Sequence, residues 1–163
     1  EGKTILEMGS GFGTDALSKH YNMISVENQT EWIGTYKSNY LEVPIKEYTT
    51  SYIETKGLFK LKSNAYTAPD LPGEDRPTQK GWYDYKILTK KLKGLKYDLI
   101  LIGGPNGRIG RGGFLKHLDI FNTNVPMIFD DINREAERQM MIKVSEIVKR
   151  PYKELDNTTG YIL

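Results

Sequence analysis

Three apolar stretches of this 163-residue chain end in a carboxylate, at Glu7, Glu27 and Asp130, and those acids mark where chemistry would be done. The first opens Glu7-Met8-Gly9-Ser10-Gly11-Phe12-Gly13. Three glycines let a backbone turn sharply and pass close to a ligand, and a helix starting there offers unpaired N–H donors. Glu27 lies at a separation suited to accepting hydrogen bonds from two ribose hydroxyls. Asp130 and Asp131 are adjacent, with Asn133, Arg134 and Glu135 just behind. Neighbouring carboxylates repel, which raises one pKa unless a cation intervenes, so either is a candidate general base. That cation would be Mg²⁺ if a metal binds, since Mg²⁺ takes a few carboxylate oxygens plus waters. Asp131 equally suits a helix N-cap.

Spacing separates the nucleotide classes that use such loops. A dinucleotide fingerprint places its third glycine at position 14, where Thr14 stands, and no Gly-x-x-x-x-Gly-Lys-Ser/Thr sequence occurs. Glu7, two residues before the first glycine, would repel a pyrophosphate. It would instead organise the loop around a cationic amino-acid ligand, and a sulfonium carrying an ammonium group fits that electrostatics.

Other polar clusters admit two readings each. Gly104 to Gly113 carries Arg108 and Arg111, whose guanidinium groups suit an anionic acceptor such as a uronic acid or phosphate, or simply a surface loop. Trp82, Tyr83, Asp84 and Tyr85 suit stacking on a sugar or base, or anchoring a core. Lys86, Lys90, Lys91, Lys93 and Lys96 form a basic run that meets phosphate or only solvent. His20 and His117 have no partner spacing for zinc and read as structural.

Those residues need a scaffold. Thr4 to Leu6, Met23 to Val26, Leu99 to Ile102 and Val125 to Phe129 are continuously apolar, as strands covered on both faces must be. A fifth strand is expected within Leu58 to Tyr66. Helices are expected over Thr14 to His20, from an N-cap at Thr30 through Trp32, Ile33, Tyr36 and Tyr40, over Trp82 to Leu92, and along Ile132, Ala136, Met140, Val144 and Ile147 until Pro151. The prolines of Thr67 to Lys80 predict a loop, and Tyr152 to Leu155 with Tyr161 to Leu163 a C-terminal β-hairpin. The expected fold is α/β: a doubly wound, mostly parallel sheet whose ligands bind outside the carboxyl ends of its strands, at Glu7, Glu27, Gly103 and Asp130.

Residues 1–163 are expected to make a single domain, trimmed of upstream helices if it is an excised core. Hydrophobic residues at 38%, charged residues at 27% and a net charge of +2 suit a globular chain. No apolar run approaches the roughly 20 residues that span a bilayer. Absent cysteine excludes disulfides and thiolate chemistry. With no leader pattern before Thr4, a cytoplasmic location is expected.

Thr4 to Thr14 resembles motif I of class I S-adenosylmethionine (SAM)-dependent methyltransferases, and Ile24 to Trp32 resembles their acidic second-strand motif. Tyr97 to Gly107 and Pro126 to Glu137 look like their fourth and fifth strands. Val26-Glu27-Asn28 with Glu31-Trp32, Gly81-Trp82-Tyr83-Asp84, Gly104-Pro105-x-Gly107 and Asp130-Asp131 are together similar to small-molecule and glycan O-methyltransferases. The resemblance implies that Gly9, Ser10, Gly11 and Gly13 wrap the methionine part of SAM over Glu7. Glu27 would hold the ribose, Asn28 and Gly103 would share that rim, and Asn64, Ala65 or Tyr66 would border the adenine. Trp32 would pack over the ring or in the core. Trp82, Tyr83, Arg108, Arg111 and Arg134 would meet the acceptor. Metal-dependent relatives carry an Asp where Gly103 stands, which counts against Mg²⁺. The implied activity is methyl transfer to a hydroxyl of a small molecule or glycan. RNA methylation and a non-catalytic partner subunit are the alternatives; against the former, Gly103-Gly104-Pro105-Asn106 departs from the Asp/Asn-Pro-Pro-aromatic sequence of amino-methylating enzymes.

Overall fold

The computed structural model describes residues 3–48, 51–55, 58–62 and 80–163. The strands are β1 (Thr4–Met8), β2 (Asn22–Glu27), β3 (Asn39–Glu42), β4 (Ile45–Glu47), β5 (Ser51–Thr55), β6 (Leu58–Lys62), β7 (Gly81–Tyr83), β8 (Leu99–Ile102), β9 (Met127–Asp130), β10 (Tyr152–Glu154) and β11 (Thr159–Ile162). The helices are α1 (Phe12–Leu17), α2 (Tyr85–Leu92), α3 (Gly113–Lys116) and α4 (Glu135–Val148). Seven strands form one sheet in the order β10-β11-β9-β8-β1-β2-β3. It is parallel from β9 to β3, and β11 runs antiparallel to both β9 and β10, closing the C-terminal hairpin.

The apolar runs explain the sheet. Leu6, Met8, Val26, Ile100 and Ile102 are wholly buried, each contributing about 1.5–3 kcal/mol of apolar burial. Ala136, Met140, Met141 and Val144 bury one stripe of α4. That helix ends at Val148, where Lys149 takes a left-handed φ of 56° ahead of Pro151. Ile147, expected on the buried stripe, is exposed. Among the described residues no helix is long and apolar enough to cross a membrane.

Two expected helices are corrected, and an expected strand is found in a separate sheet. The segment from Thr30 to Tyr40 is not a helix: it is a chain of turns closed by Trp32 N–H to Gln29, Ile33 N–H to Thr30 and Thr35 N–H to Trp32, with Gly34 at φ +82°. Its end supplies β3, the sheet's edge beside β2. β6 does fall within Leu58 to Tyr66, but it pairs with β5 in a separate hairpin. Trp82 and Tyr83 lie in β7, paired with β4, so α2 starts later, where the Asp84 carboxylate accepts from Lys86 and Ile87 N–H.

Candidate functional site

A cleft of about 390 Å³ opens at the carboxyl ends of β1, β2, β8 and β9. Glu7, Gly9, Ser10, Gly11, Phe12 and Gly13 line one wall; Glu27, Asn28, Gln29 and Trp32 line the next; Gly103, Gly104, Pro105, Asn106 and Asp130 face them. Glu7, Glu27 and Asp130 thus share a single cavity.

The wall at Gly9 depends on an absence of side chains. Gly9 has φ +85°, and a Cβ on it would stand 2.8 Å from Gly104 Cα. A Cβ on Gly104 would stand 2.7 Å from Gly9 Cα. Only two glycines allow these backbones to touch. Gly9 N–H donates to the Val26 carbonyl at 2.8 Å, so three strand ends are tied together there.

Glu7 is buried, and its Oε2 accepts from the Thr14 and Ser25 hydroxyls, both at 2.8 Å. Among the described residues its Oε1 takes no hydrogen bond, while the residue lines the cleft. Thr14 Oγ1 also accepts from Gly11 N–H at 2.9 Å. The residue that breaks the dinucleotide pattern therefore links the loop to the acid beneath it. Sequence reasoning missed both hydroxyl partners. The available signal was Ser25 itself, a polar residue inside a buried apolar strand, which requires a partner.

Burial pushes the Glu7 carboxyl above its ordinary value of 4.5; the Ser25 and Thr14 hydrogen bonds pull it down, and the Glu27 carboxylate adds to the rise. As pH climbs from about 4.5 through the raised value, the folded chain keeps a proton that the unfolded chain has lost, so stability falls across that window. Glu7→Gln should flatten this part of the stability profile, read as urea unfolding free energy against pH. A variant profile parallel to that of the parent would refute the assignment.

Glu27 is buried and binds the protein's own backbone. Its Oε2 accepts from Ser10 N–H at 2.8 Å, and its Oε1 from Asn28 N–H at 2.7 Å and Gln29 N–H at 2.8 Å. Of the about four acceptor positions on a carboxylate, about one remains for a ligand hydroxyl, rather than the two ribose contacts expected. Phe12 is 83% exposed at the mouth and meets Trp32 edge-on at 6.1 Å; Trp32 stacks on Tyr36.

Asp130 and Asp131 part company. Asp130 is exposed and lines the cleft, its Oδ1 accepting from Asp131 N–H at 2.9 Å. Asp131, at φ 61°, is not among the residues lining the cleft; its Oδ2 pairs with Arg111 Nη2 and Arg134 Nη1. Nor does Asp131 cap α4, whose N-cap is Arg134 with no side-chain cap bond. The two guanidinium groups thus neutralise Asp131, while the Asp130 carboxylate has no ion-pair partner among the described residues. With Asp131 so engaged and Gly103 offering no side chain, the donor set does not fit Mg²⁺, and among the described residues no group of three or more His, Cys, Asp or Glu is gathered for a metal.

The expected acceptor contacts are largely rearranged. Arg111 is buried, donating to the Asp130 carbonyl at 2.7 Å as well as to Asp131, so it braces the cleft from behind. Arg134 covers Gly107, where a Cβ would meet its guanidinium. Arg108 is exposed, and none of the three lines the cleft. Trp82 is wholly buried and stacks on His117, which places it in the core. Tyr83 lines the cleft floor while wholly buried, and burial followed by the charge of Glu27 raises its phenol, keeping it a neutral donor. Asn64, Ala65 and Tyr66 lie outside the described residues.

Truncating one partner of a buried ion pair costs about 3–5 kcal/mol. Arg111 is almost fully enclosed and Asp131 partly wetted, so Arg111→Ala should cost about 3 kcal/mol, at the low end of that range, in chemical denaturation. A loss under about 1 kcal/mol, the range of an exposed pair, would show that the pair is not a brace. No protein-family model matches the chain, and no curated protein matches it in sequence.

Proposed function

We propose that the chain is a SAM-dependent methyltransferase that delivers the methyl group to a hydroxyl of a small molecule or glycan. The observation that carries this reading is the meeting of Glu7, Glu27 and Asp130 in one cleft whose wall is the Gly9–Gly104 backbone contact. The strand order supports it. Counted in chain order, the five parallel strands run 3-2-1-4-5 across the sheet, the first five of a doubly wound nucleotide-binding order, and the cleft opens at the reversal between β1 and β8.

The residues suit a cationic nucleoside. Glu7 places negative charge under the glycine loop, the residual acceptor capacity of Glu27 faces a ribose hydroxyl, and Trp32 with Phe12 gives the mouth an aromatic edge. When bound, SAM supplies a methyl group on a positively charged sulfur. The chain's own task is alignment, which is where much of the rate of such a displacement originates, and removal of the acceptor proton. Asp130 is the base: among the described residues its second oxygen takes no hydrogen bond, it is wetted, and it stands across the cleft from the loop. No step is assigned to a metal.

Transfer of labelled methyl from SAM to a panel of glycans, phenols and RNA tests the reading. Asp130→Asn should lower the rate about 10²–10⁴-fold, the size of a general-base contribution, while affinity for the demethylated product S-adenosylhomocysteine stays within about twofold. Unchanged turnover in that variant would remove Asp130 from the mechanism, and absent transfer to every class would remove the activity.

A further inference from the structure

A basic ridge runs along α2, outside the cleft. Lys86, Lys90, Lys91, Lys93 and Lys96 fall within eleven residues, and all five are exposed. Leu88 and Leu92 are buried, which turns Lys86 and Lys90, one turn apart, away from the core. The helix itself contains no acid. The flanking acids are occupied: Asp84 caps the helix, and Asp98 accepts from Thr4 N–H at 2.8 Å. None of the five lysines has an ion-pair partner among the described residues. Five like charges within eleven residues, left uncompensated, are unfavourable to hold, and a polyanion relieves that repulsion.

We propose that this ridge binds the phosphodiester backbone of a nucleic acid, without reading sequence. Lysine is a compact point charge suited to phosphate, whereas carboxylate polymers favour the bidentate fork of arginine, which α2 lacks. A membrane surface fits less well. Interfacial helices turn an apolar face to lipid, but here that face is buried, and among the described residues the exposed large hydrophobics (Phe12, Tyr21, Ile147, Tyr152, Leu155 and Leu163) all lie elsewhere. Tyr83, which lines the cleft, stands two residues before α2 begins, so the basic run follows directly on a cleft residue in the chain.

The test is fluorescence anisotropy of a labelled 20-nucleotide single-stranded RNA, titrated with the chain between 50 and 200 mM salt. Five phosphate contacts give a log–log salt slope of about −3.5, an affinity loss of about 130-fold over that range. Converting Lys86, Lys90 and Lys91 together to Gln should reduce the slope to about −1.4, a loss of about 7-fold. A control with Lys3, Lys37 and Lys153 changed to Gln removes the same charge elsewhere and should leave the slope unchanged. Melting curves of both triple variants should match the parent, since all six side chains are exposed. The proposal is overturned by no binding at 50 mM salt, by an equal fall in slope in the control, or by tighter binding to phosphatidylserine vesicles than to RNA. Calorimetry with S-adenosylhomocysteine on the same proteins reports separately on the cleft, so either result stands without the other.

Discussion

Glu27→Ala should abolish S-adenosylhomocysteine binding to the limit of calorimetry, a loss of at least about 100-fold. The carboxylate does two jobs at once. Its remaining acceptor position would take a hydroxyl of the proposed ligand, and it holds Ser10 N–H on the glycine loop against Asn28 and Gln29 N–H on the loop after β2. Hydrogen bonds to a charged group are worth about 1.5–3 kcal/mol each, and here three converge on one side chain. Removing it releases two walls of the cleft together with the ligand contact, and about 1.4 kcal/mol already corresponds to tenfold in affinity. Glu27→Gln is the sharper variant, because its amide NH₂ would confront one of these N–H donors. It should bind nearly as poorly as alanine although its volume is conserved. Gln binding as well as the parent would mean that shape, not acceptor chemistry, matters at this position.

Gly9→Ala and Gly104→Ala should each lower the unfolding free energy by about 3 kcal/mol. Both place a methyl group against backbone that cannot retreat without separating β1 from β8, and Gly9 adds the cost of a side chain at φ +85°. Because the two sites touch, the double variant should lose less than the sum of the single losses. Gly13→Ala provides an internal contrast. It lies in α1 with nothing within 4 Å of the added Cβ, so alanine there should raise stability by up to about 1 kcal/mol through helix propensity. Urea denaturation of the four proteins checks the series. Equal effects at Gly9 and Gly13 would mean that the close approach of Gly9 to Gly104 does not constrain the fold.

Four of the five parallel strands were legible because each announces itself locally: Leu99 to Ile102 is unbroken apolar sequence, and such a run has few places to go except the middle of a sheet, whereas β3, with Tyr40 inside it, was expected as the end of a helix. The carboxylates at strand ends followed from the same reading. What failed was non-local. Trp32, Tyr36 and Tyr40 recur at a helical interval, yet Trp32 stacks on Tyr36 across turns, and the Tyr40 hydroxyl reaches Ser10 and the Tyr36 N–H. Those contacts reproduce the spacing of a helix without forming one. Arg111 looked free to grip an acceptor because its partner Asp131 is 20 residues away and reaches it only through the left-handed turn that follows β9. Trp82 and Tyr83 read as the start of a helix, whereas their pairing with β4 depends on residues nearly 40 positions earlier. Contacts between distant segments leave no period in the sequence.

The electrostatic reading of the cleft is tested most directly by isothermal calorimetry of the unmodified chain with SAM, S-adenosylhomocysteine and NAD. The expected result is measurable binding of SAM and its demethylated product, with none of NAD, whose pyrophosphate would face Glu7. Binding of NAD in preference to both, or no heat from either adenosyl ligand at high micromolar concentration, would contradict it.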